Sequence, residues 1–444
     1  MRIQLSDHFT YPKLLRFVMP SIIMMIFTSI YGVVDGLFVS NFVGKTAFAA
    51  INLIMPLLQG LGSIGFMIGT GGTALVAMTL GTGDKARANR YFSMLICATV
   101  VSGVILTVLG LIFLRPIAIL MGATDNLIGT CMVYGRIILL FIPAFMLQCV
   151  FQSFFVAAEK PGLGLAMTVV AGITNMVLDL VFVGFLGFGV TGAAVATILS
   201  QIVGGVIPLF YFARPNSSLL RLTTPTLDWR ALGKVCVNGS SELMTNLSAS
   251  LVGMLYNLQL LRLAGEDGVA AYGVIMYATF IFIAIYFGYS IGSAPIISYN
   301  YGARNMQEQQ NLFRKSLLLI TGCGLLLGVF GQLFAAPLAR LFVGYDAALY
   351  AMTCHGFRLY ALSFLICGFN IFGSSFFTAL NNGPVSAAIS FLRTLVFQIA
   401  MIFLLPALFG LDGVWLALLG AEILALAVTA FFTLYKNRQY HYIR

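Results

Sequence analysis

Two carboxylates lie where apolar sequence leaves them almost no company. Asp35 sits a little past the middle of IIMMIFTSIYGVVDGLFVSNFVG, residues 22–44, a membrane-length apolar run. Asp179 lies in VVAGITNMVLDLVFVGF, and Asn175 precedes it by one helical turn on the same face. An ionised side chain in hydrocarbon costs about 3 kcal/mol or more, so such acids face a protein interior or a water-filled cavity. Two carboxylates sharing a dry cavity resist carrying charge together, and a proton held between them relieves that repulsion. The same oxygens, with the Asn175 amide, suit Na+, a hard cation that prefers oxygen ligands. The competing structural reading pairs each acid with a base inside its bundle. The only basic residues within the spans of this half are Arg16 and Arg136, both near helix ends. The pair therefore reads as a cation-binding device.

The second half carries acids of another kind. Glu242 begins a helical span and fits either a solvated helix start or a carboxylate that faces a substrate. Glu422, in the last span, has Arg393 as its candidate partner, a structural ion pair rather than transport chemistry. The seven cysteines (97, 131, 149, 236, 323, 354 and 367) are scattered, odd in number and without a Cys-x-x-Cys spacing. That excludes a zinc site and a disulfide framework. Three dispersed histidines make no metal cluster, so no metal is expected beyond Na+ at the paired acids. Gly44-Lys45-Thr46 imitates the tail of a phosphate loop but has Val39 where that motif needs glycine. The GTGG run at 69–72 fits helix packing better than a nucleotide cradle. No hydrolytic triad is present. The chain reads as no enzyme, needs no cofactor beyond H+ or Na+ as coupling ion, and would power any transport secondarily.

Long apolar elements must position these residues. Of 444 residues 60% are hydrophobic and only 9% charged, and the mean hydropathy is +0.99. Continuous apolar runs throughout mean an all-α polytopic membrane protein, whereas a β-barrel would alternate. Twelve spans are expected, at 14–42, 49–80, 91–114, 132–158, 164–186 and 191–213, then 232–263, 269–299, 312–342, 349–380, 385–409 and 413–435. The first is expected to bend near Pro20, and no cleavable signal peptide precedes it. The net charge of +10 sits in short loops beside apolar spans, which marks topology and contact with membrane lipids, not nucleic acid. One face collects Arg2, Lys13, Lys85, Arg87, Lys160, Arg214, Arg230, Arg304, Lys315 and Arg444 among others. The opposite face keeps Lys45, Arg115, Arg262 and Arg340. The richer face is expected to be cytoplasmic, with both termini on it, in an inner membrane.

The text of the two halves repeats. FVGKTAFAAINLIMP at 42–56 lines up with LAGEDGVAAYGVIMY at 263–277, QSFFVA at 152 with SSFFTA at 374, and FGVTGAAVA at 188 with FGLDGVWLA at 409. The matched segments keep a constant offset (265 − 44 = 221 for a shared glycine; 409 − 188 = 221 for a shared phenylalanine). Two parallel six-helix lobes follow, 1–213 and 231–444, joined by a polar connector at 214–230. Under that offset Asp35 falls on Tyr256 and Asp179 near Ala400, so the lobes share topology but only the first holds the paired acids.

The chain resembles the multidrug and toxic compound extrusion family over essentially its whole length. The likeness is carried by YGVVDGLFVSNFVG, AAEKPGLGLAMTVVAGITNMVLDLVF, FGVTGAAVAT and the loops GTGDKARANRYF and NYGARNMQEQQNLF. It implies two six-helix bundles forming a V around a cleft, exporting lipophilic cations in exchange for H+ or Na+. By the same resemblance Asp35, Asn175 and Asp179 match the first-lobe cation site, with Thr197 completing it. Tyr31 matches a cavity-lining tyrosine, and Pro20 the proline at which the first helix bends in some members. Gln152 stands where many relatives have Asn, and Glu242 matches an acid of the second lobe. The expected substrates are small lipophilic cations, some contacts coming from polarisable Met and aromatic faces. A monomer is adequate for such a fold. The alternative within the same superfamily is a flippase for lipid-linked oligosaccharide or polysaccharide, which calls for a basic cavity instead.

Overall fold

The computed structural model describes residues 3–443, the side chains of residues 36–41 and 45 excepted. Arg2, Arg444 and the Lys45 side chain, which the loop charges include, lie outside the described residues. The first half comprises α1 (Tyr11–Phe42), α2 (Lys45–Gly81), α3 (Lys85–Leu120), and α4 (Asp125–Leu140) with α5 (Ile142–Ala157), a pair bent by 56°. It continues with α6 (Pro161–Asp179), which runs into a π-turn at Leu180–Phe185, and with α7 (Gly189–Gly205) and α8 (Ile207–Ala213). The second half comprises α9 (Trp229–Gly302), α10 (Met306–Val343), and α11 (Ala347–Ala361) with α12 (Phe364–Ala379), bent by 46°. Last come α13 (Gly383–Phe391), a π-turn at Leu392–Val396, α14 (Phe397–Phe409) and α15 (Leu411–Tyr440).

Nine helices among the described residues are long and apolar enough to cross a bilayer, and the two bent pairs make eleven. The twelfth crossing comes from α9. Its 74 residues, if straight, would reach about 110 Å, far beyond one bilayer. It is instead two arms that meet at Gly265, whose φ of 63° and ψ of −151° only glycine adopts readily. The element starts follow local chemistry. Asp84, Asn305 and Asp346 accept backbone N–H bonds at the heads of α3, α10 and α11. Asp228 accepts from the amides of Arg230 and Ala231, both at 3.0 Å, so Trp229 and Arg230 belong to α9 and not to the connector. Pro20 lies inside α1 without ending it.

The repeat persists in the backbone. Positive φ occurs at Gly44 and Gly265, Gly83 and Arg304, and Gly189 and Gly410, each pair 221 residues apart. The two bundles meet on the face that carries both termini. There α2 and α9 approach so closely that a Cβ at Gly81 would strike the Tyr299 carbonyl, and one at Gly302 would strike that of Met78. These contacts are mates (302 − 81 = 221; 299 − 78 = 221), as an isologous two-fold contact requires. Gly288 and Gly292 of α9 seat likewise on Ile22 and Val18 of α1. Residues 3–10 run across this seam. The Leu5 amide donates to Glu159 at 2.8 Å and the Phe9 amide to Glu308 at 2.9 Å. At the other end of the chain Gln310 donates to the His441 carbonyl, which puts both termini on one face. The cavities lie in the halves of the bundles beyond this seam.

Candidate ion-coupling site

Helix contact brings the paired acids together. Gly172 of α6 leaves no room for a Cβ beside Phe27 of α1, and that close crossing sets Asp35 opposite Asp179. Asp179 is fully buried, and neither of its oxygens has a hydrogen-bond donor; Oδ1 of Asp35 also lacks one. Among the described residues no basic group pairs with either acid, so Arg16 and Arg136 do not neutralise them. The Asn175 Nδ2 is buried without a partner, one turn from Asp179. Thr197 spends its hydroxyl hydrogen on the Ala193 carbonyl at 3.0 Å, which leaves its oxygen lone pairs for the site. Such a set of oxygens with one unfilled amide accommodates either a shared proton or a small hard cation.

Asp35, Asn175 and Thr197 border a cavity of about 400 Å³ in the first lobe, and Asp179 lies buried behind its wall. Tyr31, Asp35, Gln152, Asn175 and Thr197 line it, with Phe48, Met55, Phe66 and Phe145 among its apolar walls. Two of the sequence-selected residues lie elsewhere. Glu242 borders a second cavity of about 450 Å³ in the other lobe. Pro20 is not among the residues lining any of these cavities; fifteen residues of helix separate it from Asp35, about 22 Å at helical rise. It falls instead in the stretch of α1 that seats on α9. Arg393 and Glu422 form the expected pair: Nε reaches Oε1 at 2.9 Å and Oε2 at 3.1 Å, and Nη2 reaches Oε1 at 2.9 Å.

The MatE family model matches the chain twice, over residues 20–181 and 243–404, one match in each lobe. The chain belongs to the MatE family. It is a membrane transporter and not an enzyme. This MatE chain is 24% identical over 432 residues to the multidrug export protein MepA of Staphylococcus saprophyticus subsp. saprophyticus, covering 96% of this chain and 94% of that one. With MepA of Staphylococcus haemolyticus the identity is 25% over 434 residues, at the same coverage. A solved outward-facing multidrug resistance MATE transporter superposes with a TM-score of 0.92 at 23% identity, over 98% of this chain and 97% of that one.

Within this MatE transporter, sequence reading missed several polar members of the first-lobe cavity. Tyr134 faces both acids and lies beside Thr197, while Asn52, Gln59, Gln148 and Gln201 also line the wall. A signal did exist, because polar side chains inside apolar spans are the exceptions that need a partner. Gln201 is the mate of Glu422 under the 221-residue offset, so each lobe places a polar side chain at the same point of its last crossing. The second lobe fills its position with an ion pair and the first does not.

Proposed function

We propose that this chain is a secondary active multidrug efflux transporter, exporting small lipophilic cations in exchange for H+ or Na+. The observation that carries the reading is the Asp35–Asp179 pair, with Asp179 buried, Asp35 on the cavity wall beside it, and no base among the described residues to neutralise either. The MepA relatives, named for multidrug export, support the cargo class. Asp35, Asn175, Asp179 and Thr197 bind the coupling ion. Tyr31 and Gln152 contact substrate in the first lobe, and Glu242 offers a carboxylate to a cation in the second. Repacking of α1 about Pro20 passes the ion's arrival on to the lobes, 1–213 and 231–444, which rock as units about the connector. The face bearing both termini is cytoplasmic, in the cell membrane, and one chain suffices. The cleft then faces outward, where an entering cation neutralises the pair and releases the drug by mutual exclusion. A flippase for pyrophosphate-linked sugars needs free basic groups in the cavity, whereas Arg393 is already held by Glu422.

Proteoliposomes given a pH gradient or a sodium gradient, one at a time, test the reading. Ethidium efflux driven by one of the two gradients, and its loss in Asp35→Asn and Asp179→Asn, is the expected result. Wild-type rates in both variants would overturn it.

A further inference from the structure

On the side bearing the termini, the start of α3, the connector and the start of α9 form one basic face. Lys85, Arg87 and Arg90 come from α3, Arg221 from the connector, and Arg230 and Lys234 from α9, and all six are exposed. Hydrogen bonds lay the connector along α3. The Arg221 amide donates to Asn89 Oδ1 at 3.0 Å, the Thr223 amide to Ser93 Oγ at 2.7 Å, and the Asp228 amide to Met94 Sδ at 3.2 Å. Asp84 and Asp228, the acids of this face, each spend an oxygen on backbone amides as helix caps. Under the 221-residue offset the mates of Lys85, Arg87 and Arg90 are Met306, Glu308 and Asn311, so the α3 cluster is not repeated in the second lobe.

The edge of this face is apolar. Met94 lies buried under the connector, and the same side of α3 continues through Cys97, Val101 and Ile105, which are exposed. Val101 is about 10 Å further along the helix, in the stretch that meets hydrocarbon. Beside it Leu227 and Trp229 stand 63% and 72% exposed, whereas Trp415, the chain's other tryptophan, is fully buried. An exposed tryptophan at the end of a membrane span belongs at the headgroup level. Arg87 stacks on the Tyr91 ring at 5.3 Å and gives its Nε–H to the Tyr91 hydroxyl at 3.0 Å, which leaves its Nη groups for another acceptor. A soluble polyanion would engage the bases and leave Leu227 and Trp229 bare in water. Neutral lipid would cover the apolar pair and leave the bases unanswered. An acidic phospholipid meets both, its phosphate at the guanidinium groups and its acyl chains at Leu227, Trp229 and Val101.

We propose that this face binds an anionic phospholipid of the leaflet on the termini side, with Arg87 and Arg230 on its phosphate and Trp229 at its headgroup boundary. Arg87 belongs to the first lobe and Arg230 to the second, so one headgroup bridges the lobes at the connector that links them. The site is remote from the paired acids and is independent of which ion drives transport.

The test is contact quenching of Trp229 in the full-length protein, in phosphatidylcholine nanodiscs. Its emission is the difference between the wild type and Trp229→Phe. A minor fraction of the lipid is replaced by dibrominated phosphatidylglycerol or, separately, by dibrominated phosphatidylcholine. At equal mole fraction the brominated phosphatidylglycerol should quench at least about fivefold more strongly, the contribution of a single base at an anionic surface. That preference should shrink as salt rises. Arg87→Gln with Arg230→Gln should make the two lipids equal, whereas Arg314→Gln, which removes an exposed base near the start of α10, should leave the preference intact. Equal quenching by both lipids in the wild type, the same loss of preference in Arg314→Gln, or quenching by aqueous acrylamide with none from either lipid would each overturn the proposal. So would a shift of Trp229 emission when tripolyphosphate is added to nanodiscs of phosphatidylcholine alone, which would assign the face to a soluble anion.

Discussion

Asp179 and Glu422 are both fully buried acids, and their surroundings are opposite. Glu422 has the Arg393 guanidinium on both oxygens and Nδ2 of Asn370 at 2.6 Å, with Asn370 held in turn by Thr429. Asp179 faces another acid and meets no donor at either oxygen. The first arrangement serves structure. Arg393→Met alone should destabilise the protein by about 3–5 kcal/mol, because it strands a buried charge, whereas Arg393→Met with Glu422→Leu should come back close to wild type. Thermal melting in detergent measures both. The second arrangement is the one the proposed coupling uses. Asp179→Asn should lower gradient-driven efflux by about 5–150-fold, the usual span of a coupling free energy, with little change in melting temperature. Both acids were legible in the sequence because charge inside an apolar run always needs a reason. Tyr134 and Gln201 were not, since an uncharged polar side chain in a span is as often a packing residue as a ligand.

At the scale of elements, the helices were readable and their irregularities were not. Apolar length fixed twelve crossings, and Asp or Asn residues marked several helix starts. The 56° bend between α4 and α5 and the 46° bend between α11 and α12 left no comparable trace. Neither did the π-turns after Asp179 and around Arg393, which place wide backbone next to the key polar residue of each lobe. Such features depend on what packs against the helix, which a single sequence does not display. Gly265 is the exception, since its pairing with Gly44 exposed the hinge between the arms of α9. Gly265→Ala forces a side chain into a conformation that costs about 1–3 kcal/mol. A fall in melting temperature is expected there, while alanine at Gly233, which meets nothing within 4 Å and has an ordinary φ, should be tolerated.

At the scale of the whole molecule, two similar bundles touch through mated glycines on one face, and residues 3–10 cross the seam. Glu308 anchors that strap, accepting from the Phe9 amide at 2.9 Å and meeting His8 Nδ1 at 2.6 Å. Glu308→Ala should loosen the strap and favour the conformation opened on this face, read as faster cysteine modification at position 293, a serine buried in α9. Unchanged modification would limit the strap to local structure. In the proposed mechanism, transport depends on the unneutralised acids of one bundle exchanging an inorganic cation for a drug. The direct measurement is ion release on drug binding by purified protein in weakly buffered detergent, with protons followed by an indicator dye and sodium by an ion-selective electrode. Adding ethidium to the wild type should release H+ or Na+ in proportion to bound drug, and the Asp35→Asn/Asp179→Asn protein should release neither. Equal release from that variant, or drug binding by the wild type with no ion released, would contradict coupling at this pair.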